Sequence, residues 1–354
     1  MDRVDGTEHY KGDVSQGPIP ALLLIILDTN PHAWALLNRD LPLSEAIANL
    51  LVFINAHLAF HNANQVAVVA SHCHRAVWLY PRPGSSSEGV DMAGGETPAI
   101  NDANKYRPFA QIEDQLLTSL RDLIQTTTPD DVASTNTTQM AGALTLALAH
   151  INKATLAFSQ QIGGTETTAD HLGSSDDTSG LQSRILVLSV SGDLAHQYIP
   201  IMNTTFAAQR MRVPIDILKL AGDTVFLQQA SDTTRGIYLQ LRSPQGFLQY
   251  LMMAFLPDQT SRKLLVAPTQ EVVDFRAACF CHRKVVDVGF VCSICLSIFC
   301  SVPEGAVCLT CSTHLSLGEY GSKPAVVPRK KKKRRKLNGG DDTPSRPGTP
   351  VPNK

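Results

Sequence analysis

Seven of the eight cysteines lie between residues 279 and 311. Two Cys-x-x-Cys pairs are found there, Cys292 with Cys295 and Cys308 with Cys311, and twelve residues separate the pairs. Zinc takes four thiolate ligands in a tetrahedron, and a Cys-x-x-Cys turn presents two of them on one side. The spacing therefore predicts one closed zinc site made of these four residues.

Three cysteines of the stretch remain, Cys279, Cys281 and Cys300, and His282 is an additional candidate ligand. These residues could hold a second ion that is cross-braced with the first. A competing arrangement joins the first two of them to the Cys292 pair on one ion. Spacing alone leaves open both the pairing and the choice between one and two zinc ions.

A zinc ion with four protein ligands has no open coordination position, so we expect a structural role and not a catalytic one.

A RING-type ubiquitin ligase is an alternative, but such a module needs a central Cys/His pair. Only Cys300 lies between Cys295 and Cys308. A stand-alone nucleic-acid-binding zinc protein is a second alternative. The distribution of charge argues against it. The formal net charge is −1, but eight of the 31 basic residues form one run. The rest of the chain is therefore acidic, and an acidic surface is a poor binder of phosphate.

The part of the chain before the cysteines alternates between strand and helix patterns, which indicates an α/β fold with a largely parallel sheet and helices on both faces. One helix has Ser44 as its expected N-cap, and another, over 138–157, is apolar nearly all round and is expected to be buried. Strands are predicted at 21–28, 65–71, 75–80, 184–193, 213–220 and 236–241. Helices are predicted at 43–60, 110–126, 138–157, 198–211, 224–231 and 246–256.

Asp28 and Asp193 follow two predicted strands, at the carboxyl edge where open α/β sheets bind ligands. The order of elements resembles the von Willebrand factor A fold, whose active members hold a divalent ion with Asp-x-Ser-x-Ser after the first strand. Here Asn30 and His32 stand in place of the two serines. We therefore expect a degenerate ion site, empty of metal, in which Asp28 and Asn30 accept backbone N–H bonds.

Composition divides the chain into four parts. We expect a disordered N-terminus at 1–18 and a von Willebrand A-like domain at 19–262, with flexible loops at 81–104 and 160–182. A cysteine-rich zinc module at 272–316 and a disordered basic tail at 317–354 are expected to follow.

No secretory signal and no membrane span is expected. The dense basic run of the tail predicts nuclear localisation and is the one candidate contact to DNA; it consists of Arg329, Lys330, Lys331, Lys332, Lys333, Arg334, Arg335 and Lys336.

The segment DFRAACFCHRKVVDVGFVCSICLSIFC (274–300) closely resembles the matching segment of one family, the smaller von Willebrand A-like subunit of the general transcription and repair factor TFIIH. The resemblance continues in VAVVASHC, NTTFAAQR, FLQQASDTTRGIY and FLQYLMMAFLPDQ, and it spans most of residues 20–315.

This resemblance implies a non-enzymatic core subunit that acts in RNA polymerase II transcription initiation and nucleotide excision repair. It implies binding to the larger von Willebrand A-like, zinc-bearing subunit of TFIIH and to other core subunits. It also implies nuclear localisation and an A-like domain without a working ion site. A small-molecule substrate is not expected, since no Walker A loop and no dinucleotide-binding glycine motif is present.

Overall fold

The computed structural model describes residues 19–82, 107–161, 180–192, 194–222, 224–266, 273–282 and 284–315. The expected disordered N-terminus, the tail from residue 317 onward and almost all of the two expected loops lie outside these residues. The predicted nuclear localisation run at 329–336 and the candidate residue Asp193 lie outside them as well.

The first part of the described chain forms a six-stranded sheet in the order β3-β2-β1-β4-β5-β6. All neighbouring strands are parallel except β3, which pairs antiparallel with β2 at one edge. The strands are β1 (Ala21–Asp28), β2 (Gln65–His72), β3 (Arg75–Tyr80), β4 (Gln182–Ser189), β5 (Ile215–Lys219) and β6 (Tyr238–Gln240).

Helices cover both faces of this sheet, which confirms the predicted von Willebrand A-like architecture. They are α1 (Pro31–Leu37), α2 (Leu43–Phe60), α3 (Arg107–Gln125), α4 (Pro129–Ser134), α5 (Met140–Gln161), α6 (Tyr198–Arg210), α7 (Val225–Thr234), α8 (Phe247–Tyr250) and α9 (Gln259–Leu264). A π-helical turn, Leu251–Phe255, continues α8.

The central strand β1 is apolar from Ala21 to Leu27, as expected of a strand with both faces buried. Successive side chains of a strand point to opposite faces. Leu23 and Ile25 accordingly join the core formed with α1, α2 and α3, whereas Leu24 and Ile26 join the core formed with α5, α6 and α7. The sheet thus separates two apolar layers and brings the carboxyl ends of its parallel strands to one edge.

Two local predictions are wrong. The N-cap of α2 is Pro42 and not Ser44, which lies inside the first turn of the helix. The second concerns α5, the helix expected to be buried: its buried residues are confined to its N-terminal half, from Met140 to Ile151, and beyond them only Ala154 and Phe158 pack in part against the core.

Helix α2 has the length and the composition of a membrane-spanning helix. Six of its residues are nevertheless buried against the sheet, including Leu50, Phe53 and Ile54 at zero exposure. A core helix of this kind has the same length and composition. Packing against the sheet therefore accounts for its apolar character.

The cysteine-rich module follows and contains two short hairpins, β7 (Ala277–Ala278) with β8 (Val285–Val286) and β9 (Phe290–Val291) with β10 (Ile298–Phe299). Ala278 is fully buried and belongs to the same apolar core as α5, α6 and α7. The first hairpin of the module thus packs on one face of the main domain.

Candidate metal centres

Two groups of ligand-type side chains converge in the module. The four-cysteine cluster consists of Cys292, Cys295, Cys308 and Cys311. The mixed cluster consists of Cys279, Cys281, His282 and Cys300. In each group the candidate ligand atoms all lie within 4.8 Å of one another.

The two Cys-x-x-Cys turns of the four-cysteine cluster have the same backbone hydrogen bonds. In the first, the amide of Leu296 donates to the carbonyl of Cys292 at 2.9 Å, and the amide of Cys292 donates to Ser297 at 3.0 Å. In the second, the amide of Ser312 donates to the carbonyl of Cys308, and that of Cys308 donates to Thr313, both at 2.9 Å. Each turn therefore places its two thiols on one side.

A left-handed residue closes each of these turns. Leu296 has a φ of 60° and Ser312 a φ of 58°, at the same position relative to the first cysteine. A non-glycine residue rarely adopts this conformation, and a leucine less often than most. The two turns nevertheless share this conformation at the same position.

Sulfur–sulfur distances in the four-cysteine cluster fit a tetrahedral zinc ion. Cys292 Sγ lies 3.7 Å from Cys311 Sγ, and Cys295 Sγ lies 3.5 Å from Cys308 Sγ. Zn–S bonds of roughly 2.3 Å in a tetrahedron place sulfur atoms about 3.8 Å apart. A disulfide would require about 2.05 Å, and none of the eight cysteines forms one.

Neighbouring hydroxyls favour the thiolate form of the second cysteine in each turn. The Ser297 hydroxyl lies 3.1 Å from Cys295 Sγ and lowers the pKa of Cys295 to about 6. The Thr313 hydroxyl lies 3.2 Å from Cys311 Sγ and likewise lowers the pKa of Cys311. Cys308 differs, because burial raises its pKa to about 11. A metal ion would supply the positive charge that a buried thiolate requires.

The mixed cluster is more exposed. Cys281 Sγ and His282 Nδ1 lie 3.5 and 3.2 Å from Cys300 Sγ. Cys279 is buried, and the amide of Cys279 donates to the carbonyl of Lys284 across the first hairpin. Three thiols and one imidazole are a common zinc ligand set. The mixed cluster therefore has the donor chemistry for a second ion.

Chain order interleaves the two clusters. Cys300, a member of the mixed cluster, lies between the two Cys-x-x-Cys pairs of the other cluster. This is the cross-braced arrangement, and the competing arrangement that joins Cys279 and Cys281 to the Cys292 pair does not occur in the structure. Phe299 is completely buried and packs against cysteines of both clusters.

The predicted degenerate ion site is a dense hydrogen-bond network at the end of β1. Asp28 is fully buried, and its Oδ2 accepts from the amides of Val190 and Ser191 at 3.1 and 2.8 Å. Oδ1 accepts from the Thr138 hydroxyl at 3.2 Å and from the amide of Asn30 at 3.3 Å. Acceptance of backbone N–H bonds by Asp28, which the sequence predicted, is confirmed.

Asn30 acts as the N-cap of α1. Its Oδ1 accepts from the amide of His32 at 3.1 Å, and Pro31 occupies the first helical position. Its Nδ2 donates to the Ser191 hydroxyl at 2.9 Å. His32 is exposed, with its Nε2 2.8 Å from the carbonyl oxygen of Val132. The two residues that replace the metal-binding serines thus have other roles.

Lys219 is a residue of this network that the sequence reasoning missed. It ends β5, is completely buried, and donates from Nζ to the Ser189 hydroxyl at 2.9 Å and to the backbone carbonyl of Ser191. The signal was present in the sequence: VPIDILKL is an otherwise apolar strand with a lysine at its carboxyl end. A lysine is rarely fully buried unless it is paired.

Comparison with known proteins agrees with this architecture. The family model of Transcription factor Tfb4 matches residues 20–312. The chain is 43% identical over 318 residues to the general transcription and DNA repair factor IIH subunit tfb4 of Schizosaccharomyces pombe, which covers 89% of this chain and 96% of that protein. It is 37% identical over 356 residues to subunit TFB4 of the same factor from Yarrowia lipolytica, with 94% and 99% covered.

A solved structure, the crystal structure of the TFIIH p34 N-terminal domain, is 49% identical to the chain with a TM-score of 0.55, and the match covers 67% of this chain and 98% of that one. The family comprises subunits of a general transcription factor and not enzymes. The chain belongs to the Transcription factor Tfb4 family, the Tfb4 or p34 subunits of the general transcription and DNA repair factor IIH.

Proposed function

We propose that the chain is a structural subunit of the TFIIH core, whose zinc module and A-like domain together bind the larger von Willebrand A-like, zinc-bearing subunit. In this role it acts in transcription initiation and nucleotide excision repair without chemistry of its own. The observation that carries the proposal is the surface of the zinc module, which exposes large apolar side chains in a module with two closed ligand clusters.

Each cluster would hold one zinc ion. The four-cysteine cluster would bind through four thiolates, and the mixed cluster through Cys279, Cys281, Cys300 and the Nδ1 atom of His282. The ions would supply folding free energy on the order of 10 kcal/mol each, since the module has only a small buried core. Every ligand position is taken by the protein, which supports a structural role.

The exposed side chains form what we call the module patch: Val288, Val291, Ile294, Leu296 and Leu309. Each of them is more than half exposed, and Leu296 remains 69% exposed in its left-handed conformation. Large apolar side chains exposed at this density in one small module are typical of protein–protein interfaces. A partner subunit with a complementary apolar surface would cover the patch.

Import into the nucleus would depend on the basic run at 329–336, which lies outside the described residues. Eight consecutive Lys and Arg residues are typical of a nuclear localisation signal. Contact with DNA, if the tail makes it, would fall steeply with salt because it would rest on phosphate charge alone.

The module patch is tested by Ile294→Asp and Leu309→Asp in the tagged full-length chain. Both changes leave the ligand residues intact, so zinc content is expected to stay at two ions per chain. Recovery of the larger A-like subunit in pull-downs is expected to fall at least about tenfold. Leu156→Asp, a half-exposed leucine on α5, is the matched control. Full recovery with both patch variants, or an equal loss with the control, would contradict the patch as the interface.

A further inference from the structure

Three side chains stand in a row across the carboxyl edge of the sheet. Leu27 pairs with Leu188 and Ser189 pairs with Lys219, so Asp28, Ser189 and Lys219 occupy neighbouring positions on β1, β4 and β5. The alternation of strand side chains puts all three on the same face. All three have zero exposure.

The ammonium and the carboxylate are linked through one hydroxyl. Lys219 Nζ lies 2.9 Å from Ser189 Oγ, and Ser189 Oγ donates to Asp28 Oδ2 at 3.4 Å. Lys219 also donates to the carbonyl oxygen of Ser191, while the amide of Ser191 donates to Asp28 at 2.8 Å. The same peptide segment thus contacts both charges.

The residues present do not fit a divalent ion. Such an ion needs several oxygen ligands with free lone pairs. The oxygens of Asp28 accept from four N–H and O–H groups other than Ser189, and the amide nitrogen of Asn30, not its oxygen, faces the Ser191 hydroxyl. The Ser189 hydroxyl and the Ser191 carbonyl, which could serve as further ligands, face the Lys219 ammonium instead.

We propose that Lys219 is the permanent cation of this site. Its ammonium group supplies the positive charge that a divalent ion supplies in ion-binding members of the fold. Because the charge is covalently attached to β5, it does not exchange with solvent. The carboxyl edge of the sheet is therefore fixed in one arrangement, and its contacts with a partner are independent of Mg²⁺ or Mn²⁺.

A double-mutant cycle on the zinc-loaded full chain tests this assignment. Lys219→Met keeps the length of the side chain and removes its charge, which leaves Asp28 buried without a cation. The midpoint of thermal unfolding is expected to fall on the order of 10 °C. In the Asp28→Asn background the same change is expected to cost less than half as much. Lys153→Met, at an exposed lysine on α5, is expected to shift the midpoint by less than about 2 °C.

An equal cost of Lys219→Met in both backgrounds would overturn the proposal, because the lysine would then act only by packing. If the single variant does not fold but the double variant does, the proposal is supported. A second measurement needs no variant: Mn²⁺ is titrated into the wild-type chain while the amide NMR signals of Val190 and Ser191 are followed. The proposal predicts no selective broadening, and broadening of these two signals at micromolar Mn²⁺ would overturn it.

Discussion

The side-chain amide of Gln229, in the middle of α7, donates to the backbone carbonyl of Arg276 at 3.1 Å. It donates to the carbonyl of Asp274 as well, and the Gln229 side chain is almost fully buried. One residue of the main domain thus holds the chain segment that enters the cysteine-rich module. Together with the buried Ala278, this contact fixes the first hairpin of the module against α7.

Gln229→Ala is expected to loosen the module from the main domain. The two carbonyls lose their donor, and we expect a loss of about 1 kcal/mol in the free energy of unfolding. Amide hydrogen exchange at residues 274–278 should become faster, while zinc content stays unchanged. Gln209→Ala, at an exposed position on α6, is the matched control. Unchanged exchange at these amides in the Gln229 variant would show that the contact does not hold the module.

Zinc content is expected to distinguish the two clusters. We expect two zinc ions per wild-type chain and one after Cys292→Ser, which also unfolds the turns of the four-cysteine cluster. Cys300→Ser should likewise leave one ion, by emptying the mixed cluster. Cys73→Ala, a buried cysteine outside both clusters, should keep two. The measurement is metal analysis by mass spectrometry of the purified chains, and two ions retained in the Cys292 variant would contradict the assignment.

Stability is expected to fall as the pH is lowered from about 6.5 towards 4. Burial, together with the charge of Arg184, lowers the pKa of His57 to about 4. Burial also lowers the pKa of His72. The ordinary pKa of a histidine is 6.5, so unfolded chains bind protons at these two residues at a higher pH than folded chains do. Protonation therefore favours the unfolded state. His57 alone accounts for a loss of roughly 3 kcal/mol in the free energy of unfolding as the pH falls across this range.

Urea unfolding at pH 7 and pH 5 checks this dependence. His57→Gln can keep the hydrogen bond to the carbonyl of Gln65 but does not titrate, so the difference between the two pH values should shrink. His74→Asn is the control, because His74 is exposed and asparagine tolerates its left-handed φ of 58°. A difference that shrinks equally in both variants would rule out His57 as the source.

Gly236 is expected to be irreplaceable. A Cβ atom at this position would lie 1.9 Å from the carbonyl oxygen of Ile215, which belongs to the backbone of β5 and cannot move aside. Gly236→Ala should cost about 3 kcal/mol or more of stability by thermal or urea unfolding. Gly180→Ala, where no atom lies within 4 Å of the added Cβ, should be close to neutral. A neutral Gly236→Ala would mean that β5 and β6 can separate locally.

Much of the fold could be predicted because its elements carry strong local patterns. The continuous apolar run of β1 and the helical spacing of α2 gave the observed bounds, Ala21–Asp28 and Leu43–Phe60. The short helices α1, α4 and α9 were not predicted, since six or seven residues give too little periodicity. The exposed half of α5 was missed because apolar composition alone does not show which turns of a helix find packing partners.

The candidate sites were predictable in part for a similar reason. The spacing of the four-cysteine cluster is local, so the sequence predicts its ligands directly. Assignment of Cys300 to the mixed cluster required the three-dimensional path of two hairpins. Lys219 was missed because its partners, Ser189 and Ser191, are about 30 residues away and come together only through strand pairing.

We propose that the chain works as a bound structural subunit and not as an independent protein. The most direct test is affinity purification of the tagged full-length chain from its own cells in high salt, followed by mass spectrometry of what remains bound. We predict a stoichiometric set of TFIIH core subunits that includes the larger von Willebrand A-like, zinc-bearing subunit. Recovery of the chain alone, or with ubiquitin-pathway proteins in place of that set, would contradict the account.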